Sequence, residues 1–207
     1  MKKTFLLFGL LLLTGVAHRA LAQVSFNHSI GGFYAATSKY SIRYRDADGK
    51  LVRDEGRLAG VGVVYAPRLN LVEIGYNSSL SISTRLGVGV NFSGVVSSQT
   101  DAPSSSSLML DVPVILDFNH GTASVYDNDN AFGWYFGIGA GYNKMGGGES
   151  IKFYTGSYGP MVNGGVRFNV NERYFDVRTS YMLDINQAEL NVFTLGLSYY
   201  LGMQTDY

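Results

Sequence analysis

Residues 79–93 read SLSISTRLGVGVNFS, and every second position is apolar or Thr: Leu80, Ile82, Thr84, Leu86, Val88, Val90 and Phe92. Between them lie Ser79, Ser81, Ser83, Arg85, Gly87, Gly89, Asn91 and Ser93. A fifteen-residue run of period two is a long β-strand with two chemically different faces. If the apolar row faces inward, the chain is a soluble barrel or sandwich. If it faces outward, the medium around the protein is lipid.

The same alternation returns at 108–118, 132–143, 158–170, 174–183 and 193–201. Two glycine-rich strands earlier in the chain bring the expected count to eight. No segment keeps a 3.6-residue period, so the chain is expected to be all-β. The opening MKKTFLLFGLLLLTGVAHRALAQ has two lysines, an apolar run from Phe5 to Val16, and a small-x-small site at Ala20-Leu21-Ala22. Such a run is too short to span a bilayer and reads as a secretory signal peptide over 1–22, leaving 23–207 as one barrel domain. Without the leader's three basic residues, 13 basic side chains face 16 acidic ones. That balance argues against nucleic acid as a partner. The chain has no cysteine, so neither a disulfide framework nor a lipidated N-terminal Cys is possible.

Asp48-Gly49 between two alternating runs predicts a two-residue hairpin turn. Centring the turn there pairs Arg43 with Asp54, Tyr34 with Val63 and Ile30 with Pro67. Arms of about twenty residues exceed the roughly nine to eleven needed to cross a bilayer. The hairpin around Arg43, Asp48, Gly49 and Asp54 is therefore expected to project beyond it. The connections SGVVSSQTDAPSSSS, KMGGGESIKFYTGS and DINQAEL share the side of that turn, while PRLNLVEIGYNS, NHGTASVYDNDN and NVNER lie on the other, with both termini.

The polar row decides which face is inside. It is Gly, Ser and Asn with almost no Lys or Glu, a composition suited to the crowded interior of an eight-stranded barrel. Its charges balance: Arg85, Arg167 and Arg178 against Asp111, Asp117 and Asp176. Buried charges persist when paired, so these six are expected to form an interior structural cluster. The tight hairpin FNVNERYF, centred on Asn171-Glu172, would pair Val170 with Arg173 and Arg167 with Asp176. The apolar row carries Phe118, Trp134, Tyr142, Phe168, Phe175, Phe193 and Tyr199 towards its ends, as interfacial aromatic girdles require. The apolar row is expected to face lipid.

On this architecture, and on GLSYYL at Gly196–Leu201, the chain resembles the small eight-stranded outer-membrane β-barrels of Gram-negative bacteria, the OmpA/OmpX-like group. The resemblance implies an eight-stranded antiparallel up-and-down transmembrane barrel in the outer membrane, with periplasmic termini. It implies a monomer surrounded by outer-membrane lipid and lipopolysaccharide, and a C-terminal strand read by the barrel-assembly machinery. One departure stands out: GMQTDY follows GLSYYL, so either the last strand runs further or the recognition signal is internal.

Catalytic signals are weak. His28 and His120 map to the periplasmic ends of their strands, the wrong leaflet for lipid-A chemistry. Gly137–Gly141 mimics a nucleotide loop but sits inside an alternating strand with no helix after it. DNDN at 127–130 lacks the closing Glu of a calcium loop. The expectation is no catalytic residue, no cofactor and no metal. The expected role is structural or adhesive, through the first hairpin, with an extracellular protein as possible ligand. A lipid-A-modifying enzyme and a secreted soluble ligand-binding barrel are the alternatives.

Overall fold

The computed structural model describes residues 24–38, 40–45, 51–95, 106–125, 128, 130–145, 156–185 and 190–201. They form β1 (Ser25–Thr37), β2 (Tyr40–Arg45), β3 (Leu51–Ile74), β4 (Ser78–Thr84), β5 (Leu86–Val95), β6 (Ser106–Gly121), β7 (Phe132–Met145), β8 (Ser157–Val170), β9 (Arg173–Met182) and β10 (Val192–Leu201). Because β2 prolongs β1 and β5 prolongs β4, ten segments make eight antiparallel arms. β1 pairs with both β10 and β3, which closes the ring.

The β4–β5 interruption falls at Arg85. Extending the neighbouring registers places Pro67 opposite Thr84 and Pro113 opposite Arg85. Neither proline can donate to the ladder, so pairing lapses between two prolines while the register continues. Thr84 Oγ1 bonds the Pro113 carbonyl at 2.5 Å across the gap.

The ring is inverted relative to a soluble barrel. Leu86, Val88, Val90 and Phe92 are exposed, whereas Ser79, Ser81, Ser83, Arg85 and Asn91 are buried. Along β7, Phe132, Trp134, Phe136, Ile138 and Tyr142 face outward while Tyr135, Asn143 and Met145 are buried. Phe132 to Tyr142 covers about 33 Å of strand, or about 25 Å of height at the roughly 40° tilt usual in such barrels. That matches the apolar band of a membrane barrel. Around the terminal end the outward aromatics touch one another: Phe168 and Phe175 stack at 5.7 Å, Phe175 meets Tyr199 at 5.6 Å, and Phe118 meets Trp134 at 5.8 Å.

The first hairpin differs from its expected register. Tyr34 pairs with Val61 and Ile30 with Tyr65, two residues from the predicted partners. Nearer the turn, Arg43 faces Arg53 and Ile42 faces Asp54. Alternation specifies a register only modulo two, because a two-residue slide returns every side chain to its own face. The turn had to supply the rest, and Asp48 and Gly49 lie outside the described residues. The β1 and β2 pairings with β3 differ by one residue, so the register shifts between the Ala36–Ala59 and Tyr40–Gly56 pairs.

Two segments expected as connections are mostly something else. In PRLNLVEIGYNS, β3 continues to Ile74 and only Gly75–Asn77 turns. In NHGTASVYDNDN, β6 continues to Gly121, and Thr122–Val125 folds back into the barrel mouth, where all four residues are buried.

Candidate functional site: the charged interior and its plug

The interior is layered along the barrel axis. Towards the end opposite the termini lies an apolar layer with Leu58, Met109, Met145, Met161, Met182 and Val192. Met145 and Met182 are the last residues of β7 and β9, which places the layer beside the loops of that end. Nearer the termini the lumen is polar and charged.

The structure buries all six charges of the sequence-based cluster. Arg85 Nη2 lies 3.5 Å from Asp111 Oδ2 and also reaches Ser180 Oγ at 2.9 Å. Arg178 Nη2 lies 3.0 Å from Asp176 Oδ2. Asp117 accepts from Ser83 Oγ and, at 2.9 Å, from Asn163 Nδ2, both neutral donors. Arg167 stands opposite Asp176 in the β8–β9 register, and Val170 opposite Arg173, as the hairpin pattern requires. The Asp176 carboxylate is nonetheless taken by Arg178, while Arg167 lies over the Tyr135 ring at 4.1 Å and donates to Asn119 Oδ1 at 2.8 Å. Facing positions in a ladder share a level. Which side chains meet also depends on what crosses the lumen.

What crosses is Tyr135. Its hydroxyl donates to Asp176 Oδ1 at 2.8 Å and accepts from Arg178 Nε at 2.8 Å. A side chain at Gly165 would collide with that hydroxyl, and one at Gly137 with Asp117 Oδ1. These two glycines are holes for the interior groups.

Arg68 is the residue that sequence reasoning missed, because it sat in a presumed connection. It is buried on the interior face of β3, donating to Asn119 Oδ1 at 3.3 Å, to Tyr200 Oη at 3.4 Å and to the Ala123 carbonyl. The same pattern that marks Arg85 could have found it, since Ala66, Arg68 and Asn70 alternate with Pro67, Leu69 and Leu71. Arg68 also latches the plug. Asn70 Nδ2 reaches the Ser124 carbonyl at 3.1 Å, and Ser79 Oγ bonds the same oxygen at 2.5 Å. Ser124 Oγ donates to the Asn77 carbonyl at 2.8 Å, and Ala123 packs with Tyr174 and Tyr200. Ala123 adopts φ 57°, the left-handed region, at the tip of the inserted turn.

The two histidines lie elsewhere. His28 meets Tyr65 Oη at 3.1 Å, and His120 meets Ser78 Oγ at 2.9 Å, both within the aromatic belt at the terminal end. Of the hairpin residues, Arg43 lies in β2 and Asp54 in β3.

A closed antiparallel ring of eight arms, apolar outside and charged within, defines a small transmembrane β-barrel of the outer-membrane type. No protein-family model matches the chain, and no curated protein matches its sequence. Among solved structures the chain is similar to Ail, the attachment invasion locus protein of Yersinia pestis, solved in complex with the heparin analogue sucrose octasulfate. That likeness has 14% identity and a TM-score of 0.45, over 86% of this chain and 99% of that one. A second is the outer membrane protein OprG from Pseudomonas aeruginosa, at 12% identity and a TM-score of 0.43, over 86% of this chain and 97% of that one.

Proposed function

We propose that the protein is a non-catalytic outer-membrane barrel that binds an extracellular protein through its first hairpin. The observation that carries the reading is the length and open edge of that hairpin. β3 is 24 residues long, about 80 Å of strand, against a hydrocarbon core of about 30 Å. The β1–β10 ladder ends at Thr37–Val192, followed by bonds from Ser38 N to the Asn191 carbonyl at 2.7 Å and from Asn191 N to Ser38 Oγ at 3.1 Å. Beyond it, among the described residues, β2 pairs with β3 alone. Among the described residues no strand covers its other edge, and such an edge can accept a strand from a partner.

In this reading residues 1–22 are a cleaved export signal, the termini are periplasmic, and the hairpin stands outside the cell. The barrel is a monomer in lipid and lipopolysaccharide, inserted by the barrel-assembly machinery through β10. Gly202–Tyr207 lie outside the described residues, so an insertion signal internal to β10 is part of the proposal. Deleting these six residues should leave insertion mostly intact. Complete loss of outer-membrane protein would show that Tyr207 is needed.

The function itself is tested by replacing Tyr40–Gly56 with a short Gly-Ser turn. The shortened barrel should still reach the outer membrane and keep heat-modifiable gel mobility. It should lose the adhesion to extracellular matrix or host cells that the full chain confers. Adhesion unchanged by this replacement, or absent from the full chain, would overturn the reading.

A further inference from the structure

Among the described residues the interior charges do not balance: four arginines (Arg68, Arg85, Arg167 and Arg178) are buried with three aspartates (Asp111, Asp117 and Asp176). Asp184 is also buried, but it follows β9 and lies within reach of the Tyr158 amide, 3.4 Å away, at the far end of the barrel. Two of the arginines have carboxylate partners, Asp111 and Asp176. The other two, Arg68 and Arg167, come together on a single neutral acceptor, Asn119 Oδ1, at 3.3 and 2.8 Å. Their bonding nitrogens are therefore no more than about 6 Å apart. Both guanidinium groups also lie against the Tyr200 ring, at 5.6 and 5.8 Å.

Among the described residues, Arg167 Nε and Nη1 and Arg68 Nε are buried donors with no hydrogen-bond partner. Two like charges meet around one amide oxygen, with donor capacity to spare, under a plug whose Ala123 carbonyl already occupies one side of Arg68. Such a pair is destabilising unless something negative completes it.

From this we infer that Arg68 and Arg167, with Asn119 between them, form a binding site for a small inorganic anion, a halide or an inorganic phosphate, beneath the Thr122–Val125 plug. The planar fork of guanidinium donors suits both. The anion supplies the negative charge that the described cluster lacks, so it binds the folded barrel and stabilises it by mass action.

The test uses the full mature chain refolded in a neutral detergent, its folding verified by heat-modifiable mobility. Urea unfolding is followed at constant ionic strength while sodium gluconate, the salt of a large organic anion, is exchanged for sodium chloride or sodium phosphate. The midpoint should rise and saturate with chloride or phosphate. The rise should vanish in Arg167→Gln and in Arg68→Gln and persist in Arg173→Gln, which alters an exposed arginine on β9. Asn119→Asp places a carboxylate between the two guanidinium groups. It should fold in gluconate alone, with a midpoint that no longer responds to chloride. Chloride-35 line broadening that is present in the parent and lost in Asn119→Asp gives a readout independent of unfolding. No difference among the three salts, or the same rise in the parent and in Asn119→Asp, would overturn the site. Either result would mean that the arginines are satisfied within the protein.

Discussion

At the scale of the residue, Tyr135 organises the interior charges. It separates Arg167 from the carboxylate opposite it and ties Arg178 to Asp176 through one hydroxyl. Tyr135→Phe keeps the ring under Arg167 but leaves Arg178 Nε and Asp176 Oδ1 without this partner. The refolded barrel should lose about 1–3 kcal/mol in urea unfolding. Asp176→Ala strands the Arg178 charge and should cost about 3–5 kcal/mol, clearly more than Glu73→Ala near the rim. Adding Arg178→Ala to Asp176→Ala should restore part of that loss, whereas adding Arg167→Ala should restore less. The opposite ranking in a double-mutant cycle would show that Arg167 is the true partner. Asp184 is no solvated control for this series, since it is itself buried beside the Tyr158 amide.

At the scale of the element, each arm carries two environments one residue apart. Leu86→Arg, near the middle of the β4–β5 arm, should destabilise the barrel by about 2–4 kcal/mol, and Phe92→Arg, towards its rim, by about 0–1 kcal/mol. Equal costs measured in lipid vesicles would contradict the outward assignment of the apolar row. The β2–β3 hairpin answers to a different experiment. Protease added to intact cells should cut near Asp48, and full protection there would reverse the proposed orientation.

For the whole molecule, a methionine-rich layer is buried near one end of the barrel and Thr122–Val125 are buried at the other. In planar bilayers the protein should show no steady porin-like current. Conductance should increase when Met109, Met145, Met161 and Met182 are replaced together by Ala, because the apolar layer is then thinned. A steady open current from the unaltered protein would replace the filled lumen with a water-lined channel.

Period-two alternation, together with a polar row of Gly, Ser and Asn, determined the closed ring, its inverted faces and the burial of Arg85, Arg167 and Asp176. Those properties follow from local chemistry repeated along every strand. Tertiary structure decided the rest. The hairpin register was open because alternation repeats every two residues, so sliding Tyr34 from Val63 to Val61 leaves both faces unchanged. The partner of Arg167 was open because ladder neighbours compete with a tyrosine reaching across the lumen from β7. Arg68 and the plug were obscured because Gly75 and Gly121, with φ of 65° and 78°, end their strands later than the polar composition around them suggested. Pairing across a barrel brings together residues more than a hundred positions apart, such as Arg68 and Tyr200, and no local pattern encodes that meeting.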